Sequence, residues 1–178
     1  MAKKDLNIQP GETILFISPA EKYLKSNVSL IKKYEKNKSS YIIYVTILRP
    51  YSSLNDLLKK AKVDQKRILI IDAATPTSNQ RAGNAIFVGS PKALTTISIA
   101  ITSASEKLKD QEKYLFFDSM SALLTYNQLG TVARFAQFIT ATIRKSKLKG
   151  VIISLEKDSN PELVSQLSQI CDRIVEIK

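Results

Sequence analysis

With 178 residues, 44% of them hydrophobic and 24% charged, the chain suits one folded domain spanning 1–178 and excludes a disordered polymer. The absence of histidine and the single cysteine, Cys171, exclude Ser-His-Asp and Cys-His catalysis, internal disulfides and imidazole metal centres. The net charge of +11 is uneven: 12 basic and 3 acidic residues lie between Lys22 and Arg67, which favours an anionic partner or a solubilising surface.

In chain order, Gly11-Glu12 turns into a first strand, Thr13-Ile14-Leu15-Phe16-Ile17, which Ser18-Pro19 stops. Ser26 or Asn27 is expected to cap a helix carrying Val28, Leu30, Ile31 and Tyr34. Tyr41 to Leu48 reads as the second strand and ends at Arg49-Pro50. Ser53 is the expected cap of a short helix with Leu54, Leu57, Leu58 and Ala61 on one side. Arg67 to Asp72 is a third strand, apolar until its terminal acid.

A loop is expected over residues 73–84, with a turn at Thr75-Pro76-Thr77-Ser78-Asn79, then a short edge strand, Ala85 to Val88. Ser90-Pro91 opens a helix from about Lys92 to Leu108. The run Tyr114-Leu115-Phe116-Phe117-Asp118 follows, apolar without alternation, as in a strand buried on both faces of a parallel sheet. Beyond it come a turn or two of helix over Met120–Asn127 and a long helix from near Thr131 to about Lys147. Gly150 is expected to release the strand Val151 to Leu155; Pro161 starts a helix, and Ile174 to Ile177 closes the chain as a strand with one solvated face. Strands alternating with helices predict a three-layer α/β fold around a mostly parallel sheet. No apolar run reaches membrane length and no signal segment follows the N-terminus, so a cytoplasmic location is the expectation.

An acid at the carboxyl end of a buried strand is placed as a Walker B aspartate would be, which holds a water of Mg²⁺ beside phosphates. Gly11-Glu12-Thr13-Ile14-Leu15-Phe16-Ile17, Tyr44-Val45-Thr46, Ile70-Ile71-Asp72 and Leu115-Phe116-Phe117-Asp118-Ser119-Met120-Ser121 stand in that order, with Phe135 to Ile143 and Gly150-Val151-Ile152 after them. On these segments the chain resembles the RecA-like ATPase superfamily, in particular archaeal KaiC-like proteins and RadA paralogues. The resemblance implies a P-loop after the first strand and a water-activating glutamate near the end of the second. Here Ser18-Pro19-Ala20-Glu21-Lys22-Tyr23-Leu24-Lys25-Ser26 stands at the first place and Ile47-Leu48-Arg49-Pro50 at the second. Without glycines the backbone is not free to curl around phosphate, and Tyr23 and Leu24 would crowd it.

The resemblance therefore implies a pseudo-ATPase with a degenerate P-loop. It would act as a regulator or scaffold through a protein partner such as an active RecA-like ATPase, or as a homo-oligomer, with no cofactor and no catalytic residues. Lys25, Ser26 and Asp118 are the candidates for a vestigial nucleotide site, and Asp118 with Asp72 for a metal. One alternative is nucleic-acid binding through Lys22, Lys25, Lys32, Lys33, Lys36, Arg49, Lys59, Lys60 and Lys62. A further alternative is an atypical ATP site on the free amides of the helix near Ser26.

Overall fold

A computed structural model describes residues 7–76, 83–108, 110–156 and 160–177. Seven strands form one parallel sheet: β1 (Thr13–Ser18), β2 (Ser40–Thr46), β3 (Ile68–Asp72), β4 (Ala85–Phe87), β5 (Glu112–Asp118), β6 (Lys149–Leu155) and β7 (Arg173–Glu176). Their order across the sheet is β4-β3-β2-β5-β6-β1-β7. The helices are α1 (Ala20–Glu35), α2 (Tyr51–Lys60), α3 (Leu94–Lys107), α4 (Leu129–Lys145) and α5 (Pro161–Ile170). This is the expected three-layer α/β architecture, consistent with a RecA-like topology. The strand of Asp118 sits two places from β1, with β6 between them.

The unalternating runs make sense because both faces of the sheet are covered. On one face Tyr44, Phe116, Ile70 and Ile153 pack with Leu30, Ile31 and Tyr34 of α1 and Leu54 and Leu58 of α2. On the other, Leu115, Phe117, Ile71 and Ile152 pack with α3, α4 and α5. Aromatic rings lock both layers: Tyr34 lies 4.4 Å from Tyr114, and Phe117 meets Phe135 edge-on at 5.6 Å. Truncating a ring as enclosed as Phe116 or Phe117 to alanine typically costs about 3–5 kcal/mol.

Several ends differ from the sequence-based expectation. Helix α1 begins at Ala20, not near Ser26, because Pro19 (φ −58°, ψ 145°) leads straight into it and Ala20 to Lys25 are adequate helix formers. Helix α2 begins at Tyr51, not Ser53, because its first amide is received by Asp72 across the sheet edge. Helix α4 begins at Leu129. Gly150 lies inside β6 instead of releasing it. A Cβ there would come within 2.6 Å of Ile143 Cδ1 and 3.2 Å of Thr13 Oγ1, so the glycine lets α4 approach the sheet. The Met120–Asn127 helix is a 3₁₀ turn over Ser121–Thr125. The short strand β4 is an edge strand, as expected. Of the expected turn at 75–79, residues 77–79 lie outside the described residues. Among the described residues no helix is long and apolar enough to cross a membrane.

Candidate functional site

Asp118 closes β5, Thr46 closes β2 and Asp72 closes β3, and Thr46 is in register with both acids. All three share the α1/α2 face, since each lies two residues beyond an inward ring or aliphatic of that face: Phe116, Tyr44 and Ile70. The two acids therefore flank β2 at the carboxyl end of the sheet, one strand apart on each side.

Each acid is already spent. Asp118 is buried; the Tyr23 hydroxyl donates to its Oδ1, and the Tyr44 hydroxyl and Asn27 Nδ2 (2.9 Å) donate to its Oδ2. Asn27 Nδ2 also donates to the Tyr44 oxygen at 2.6 Å, while Asn27 Oδ1 is buried without a hydrogen-bond partner. Burial pushes the Asp118 carboxyl up, and the three donors and Arg49 only partly pull it back. Burial and the Asp118 charge push the Tyr23 and Tyr44 phenols up, so both stay protonated and donate. Asp72 Oδ2 accepts from Tyr51 N at 2.8 Å and from the Thr75 hydroxyl; its Oδ1 accepts from Ala74 N and Thr75 N at 2.8 and 2.9 Å. It is a long-range cap for α2 and a clasp for the chain leaving β3.

The junction after β1, where the resemblance implied a phosphate loop, is short. A single residue, Pro19, joins β1 to α1, and Lys22 N and Tyr23 N already donate to its carbonyl at 3.0 and 2.9 Å. The amides that would wrap an anion are helical from the start. Tyr23 and Asn27, four residues apart, share the inward side of α1. Lys25, midway between them, is exposed on the other side, and Ser26 is half-buried in mid-helix. Thus Lys25 and Ser26 do not stand beside Asp118. A nucleotide with Mg²⁺ does not fit this arrangement: its cation would have to displace three donors from Asp118. Among the described residues no group of three or more Asp, Glu, Cys or His could hold a metal ion.

Sequence reasoning saw Tyr23 as an obstacle and Tyr44 as a strand residue, and took Asn27 for a helix cap; it did not bring them together. The readable signal was Tyr23 and Asn27 at helical spacing with a buried acid for them to serve. The nine basic candidates divide. Lys22, Lys25 and Arg49 lie toward the carboxyl end of the sheet, in the first half of α1 and before α2. Lys32, Lys33, Lys36, Lys59, Lys60 and Lys62 lie at the far ends of α1 and α2, at the amino end of the sheet.

On the opposite layer an apolar groove of about 550 Å³ runs between α3 and α4. Ile99 and Phe138 line it at 60% and 47% exposure, and Arg134 is its one charged lining residue. Among the tyrosines, Tyr126 is exposed, whereas Tyr23 holds Asp118 and Tyr51 packs on Phe87 and donates to Asn84.

Comparison with known proteins places this geometry in a lineage. A sequence model of the family of unknown function DUF7504 matches residues 11–177, from the turn before β1 to the end of β7. The chain belongs to that family. By sequence, no curated protein matches. Among solved structures, this DUF7504 chain is similar to an uncharacterised protein of Pyrococcus horikoshii in complex with an unknown peptide. The TM-score is 0.70 at 13% identity, covering 94% of this chain and 78% of that one. It is similar to a KaiC-like protein of Pyrococcus horikoshii OT3 with a TM-score of 0.70 at 10% identity, covering 95% and 74%. A further Pyrococcus horikoshii OT3 protein gives a TM-score of 0.64 at 16% identity, covering 96% and 83%. At such identities the likeness is one of fold.

Proposed function

We propose that this DUF7504 chain is a non-catalytic RecA/KaiC-like domain that works by protein contact, as a regulator or scaffold beside an active RecA-like ATPase. One observation carries the reading: Asp118, at the carboxyl end of the central strand β5, is closed over by Tyr23, Tyr44 and Asn27 from within the chain. The direct passage from β1 through Pro19 into the first turn of α1 agrees with it. A domain that keeps its core strands without a nucleotide cradle retains its surface as the means of action. The exposed Ile99 and Phe138 beside an apolar groove supply such a surface, and a similar fold carries a bound peptide in its crystal.

Titration with ATP and Mg²⁺ tests the closed site. Calorimetry is expected to show no heat, and the melting temperature no rise. A Mg²⁺-dependent rise that Asp118→Asn abolishes overturns the reading. Co-expression with a RecA-like ATPase of the same genome tests the contact: a complex is expected, weakened by Phe138→Asp. An unchanged mixture of separate chains counts against the partner.

A further inference from the structure

We propose that the amino edge of the sheet is a nucleic-acid phosphate-binding rim built by four successive helix-to-strand loops. Those loops enter β3, β2, β5 and β6, which are neighbours in that order. Three of the four present exposed lysines: Lys62 and Lys66 before β3, Lys36 and Lys38 before β2, and Lys145 and Lys147 around the end of α4 before β6. Adjacent strands lie about 4.8 Å apart, so three steps place these loops along a line of roughly 14 Å. This set differs from the basic half seen in the sequence. It drops Lys22, Lys25 and Arg49, which lie toward the other end of the sheet, and adds Lys145 and Lys147 from far later in the chain.

The loops are tied to one another, so the rim is a surface rather than separate tails. Asp64 N donates to Glu35 Oε1 at 3.2 Å and Arg67 Nη2 to the Glu35 carbonyl at 3.3 Å, joining the first two. Asn37 Nδ2 donates to Glu112 at 2.5 Å, and Lys149 pairs with the same carboxylate, joining the second, third and fourth. The acids of the rim are turned inward by these bonds: Glu35 receives a backbone amide, Asp64 receives Lys66 N, and Glu112 is held by Lys149 and Asn37. Asp110 and, in the last turn of α3, Glu106 are further exposed acids at this edge. A hollow of about 450 Å³ between the third and fourth loops mixes Asp110 and Glu112 with Lys147 and Lys149 and is not itself the site.

Helix dipoles explain Lys32, Lys33, Lys59, Lys60 and, within the rim, Lys145, which sit in last turns. They do not explain lysines past the helix ends. Nor does backbone preference: Lys62 (φ 56°) and Lys147 (φ 52°) are the non-glycine residues with left-handed backbone among those described. Both follow a helix end, where glycine is the easier residue. Lysine at two such positions on one edge fits a demand for charge.

The chemistry favours a polyanion read through its phosphates. The large hydrophobic residues that are exposed (Leu48, Ile99, Tyr126, Phe138 and Ile174) lie elsewhere, so the rim lacks the apolar side chains that insert into a lipid surface. Tyr34 and Tyr114 near this edge are buried and Tyr41, at the start of β2, is half-buried, so phosphate contacts lead and near-indifference to sequence is expected.

Fluorescence anisotropy of a short labelled DNA duplex against the full chain tests the proposal. Binding is expected at low salt, equal for unrelated sequences and falling steeply as salt rises. The variant Lys36→Ala/Lys38→Ala/Lys62→Gly/Lys147→Gly is expected to lose at least about tenfold in affinity and to flatten the log–log salt slope by about 3–4. Its two glycines suit the left-handed backbone, and single reversals Lys36→Glu and Lys147→Glu provide a second route if the combined variant fails to fold. Lys22→Ala/Lys25→Ala is expected to bind as the parent does. Any of three results overturns the proposal: no binding at low salt, an equal loss in the Lys22/Lys25 variant, or tighter binding to phosphatidylserine vesicles or polyglutamate than to the duplex.

Discussion

The two ends of the sheet handle charge in opposite ways. At the carboxyl end, Asp118 and Asp72 are buried and saturated by seven donor groups of the chain's own. At the amino end, lysines stand in solvent while three of the acids among them, Glu35, Asp64 and Glu112, are bonded to amides and one ammonium. The contrast teaches where to look for work. A buried charge with every oxygen engaged has become part of the framework, and an exposed, unbalanced charge is available to another molecule.

The largest effect should come from emptying the closed end. Asp118→Ala leaves the Tyr23 and Tyr44 hydroxyls without their acceptor, at about 1–3 kcal/mol for each group left unpaired. A total of about 3 kcal/mol, read as a fall of about 6–12 °C in melting temperature, is expected. If alanine proves neutral, Asp118 is not a structural acid and the contrast fails. Tyr23→Phe removes one donor and should cost about 1–2 kcal/mol in a denaturant melt. It should not bring ATP binding with it, because Pro19 and the first turn of α1 remain in the way.

The same end predicts a pH signature. The Asp118 pKa is raised on folding, so its proton is bound more tightly in the native state than in the unfolded one. Its contribution is fully present below the unfolded carboxylate range and is lost as pH rises through the folded value. Asp118→Asn has no such proton. The stability of the parent minus that of this variant should therefore decline from about pH 4 upward, as measured by paired thermal melts. A difference that grows with pH would mean that the three donors outweigh burial. The smallest effect belongs to the open end: Lys62→Gly should raise stability by about 0.5–1 kcal/mol through relief of the left-handed backbone. Lys36→Ala should stay within about 0.5 kcal/mol.

The strands were readable because their burial on two faces leaves a one-dimensional trace: runs such as Ile68 to Ile71 and Tyr114 to Phe117 need no partner to be recognised. Helix starts were less readable where the cap is remote. Nothing near Tyr51 announces that Asp72, 21 residues on, will receive its amide. Gly150 looked like a boundary and is a contact, because the neighbour that requires it, Ile143, belongs to another layer. The candidate acids were correctly placed at the carboxyl edge. That Asp118 is occupied depends on Tyr23 and Asn27 reaching across from α1, which is a matter of packing and not of motif. The lysine rim was half visible as a charge skew, but only the strand order brings Lys147 into line with Lys36 and Lys62.

The outer strands carry one more consequence. β4 is three residues long, and β7 is four, with Arg173 and Glu176 at its ends and Arg173 pinned to Glu12. Edges so brief and so charged give an incoming extended segment few amides to zip against and disfavour fibre growth by stacking copies edge to edge. A companion of this fold would consequently settle on its helical flanks or its loops, and heterotypic assembly would leave the sheet at seven strands.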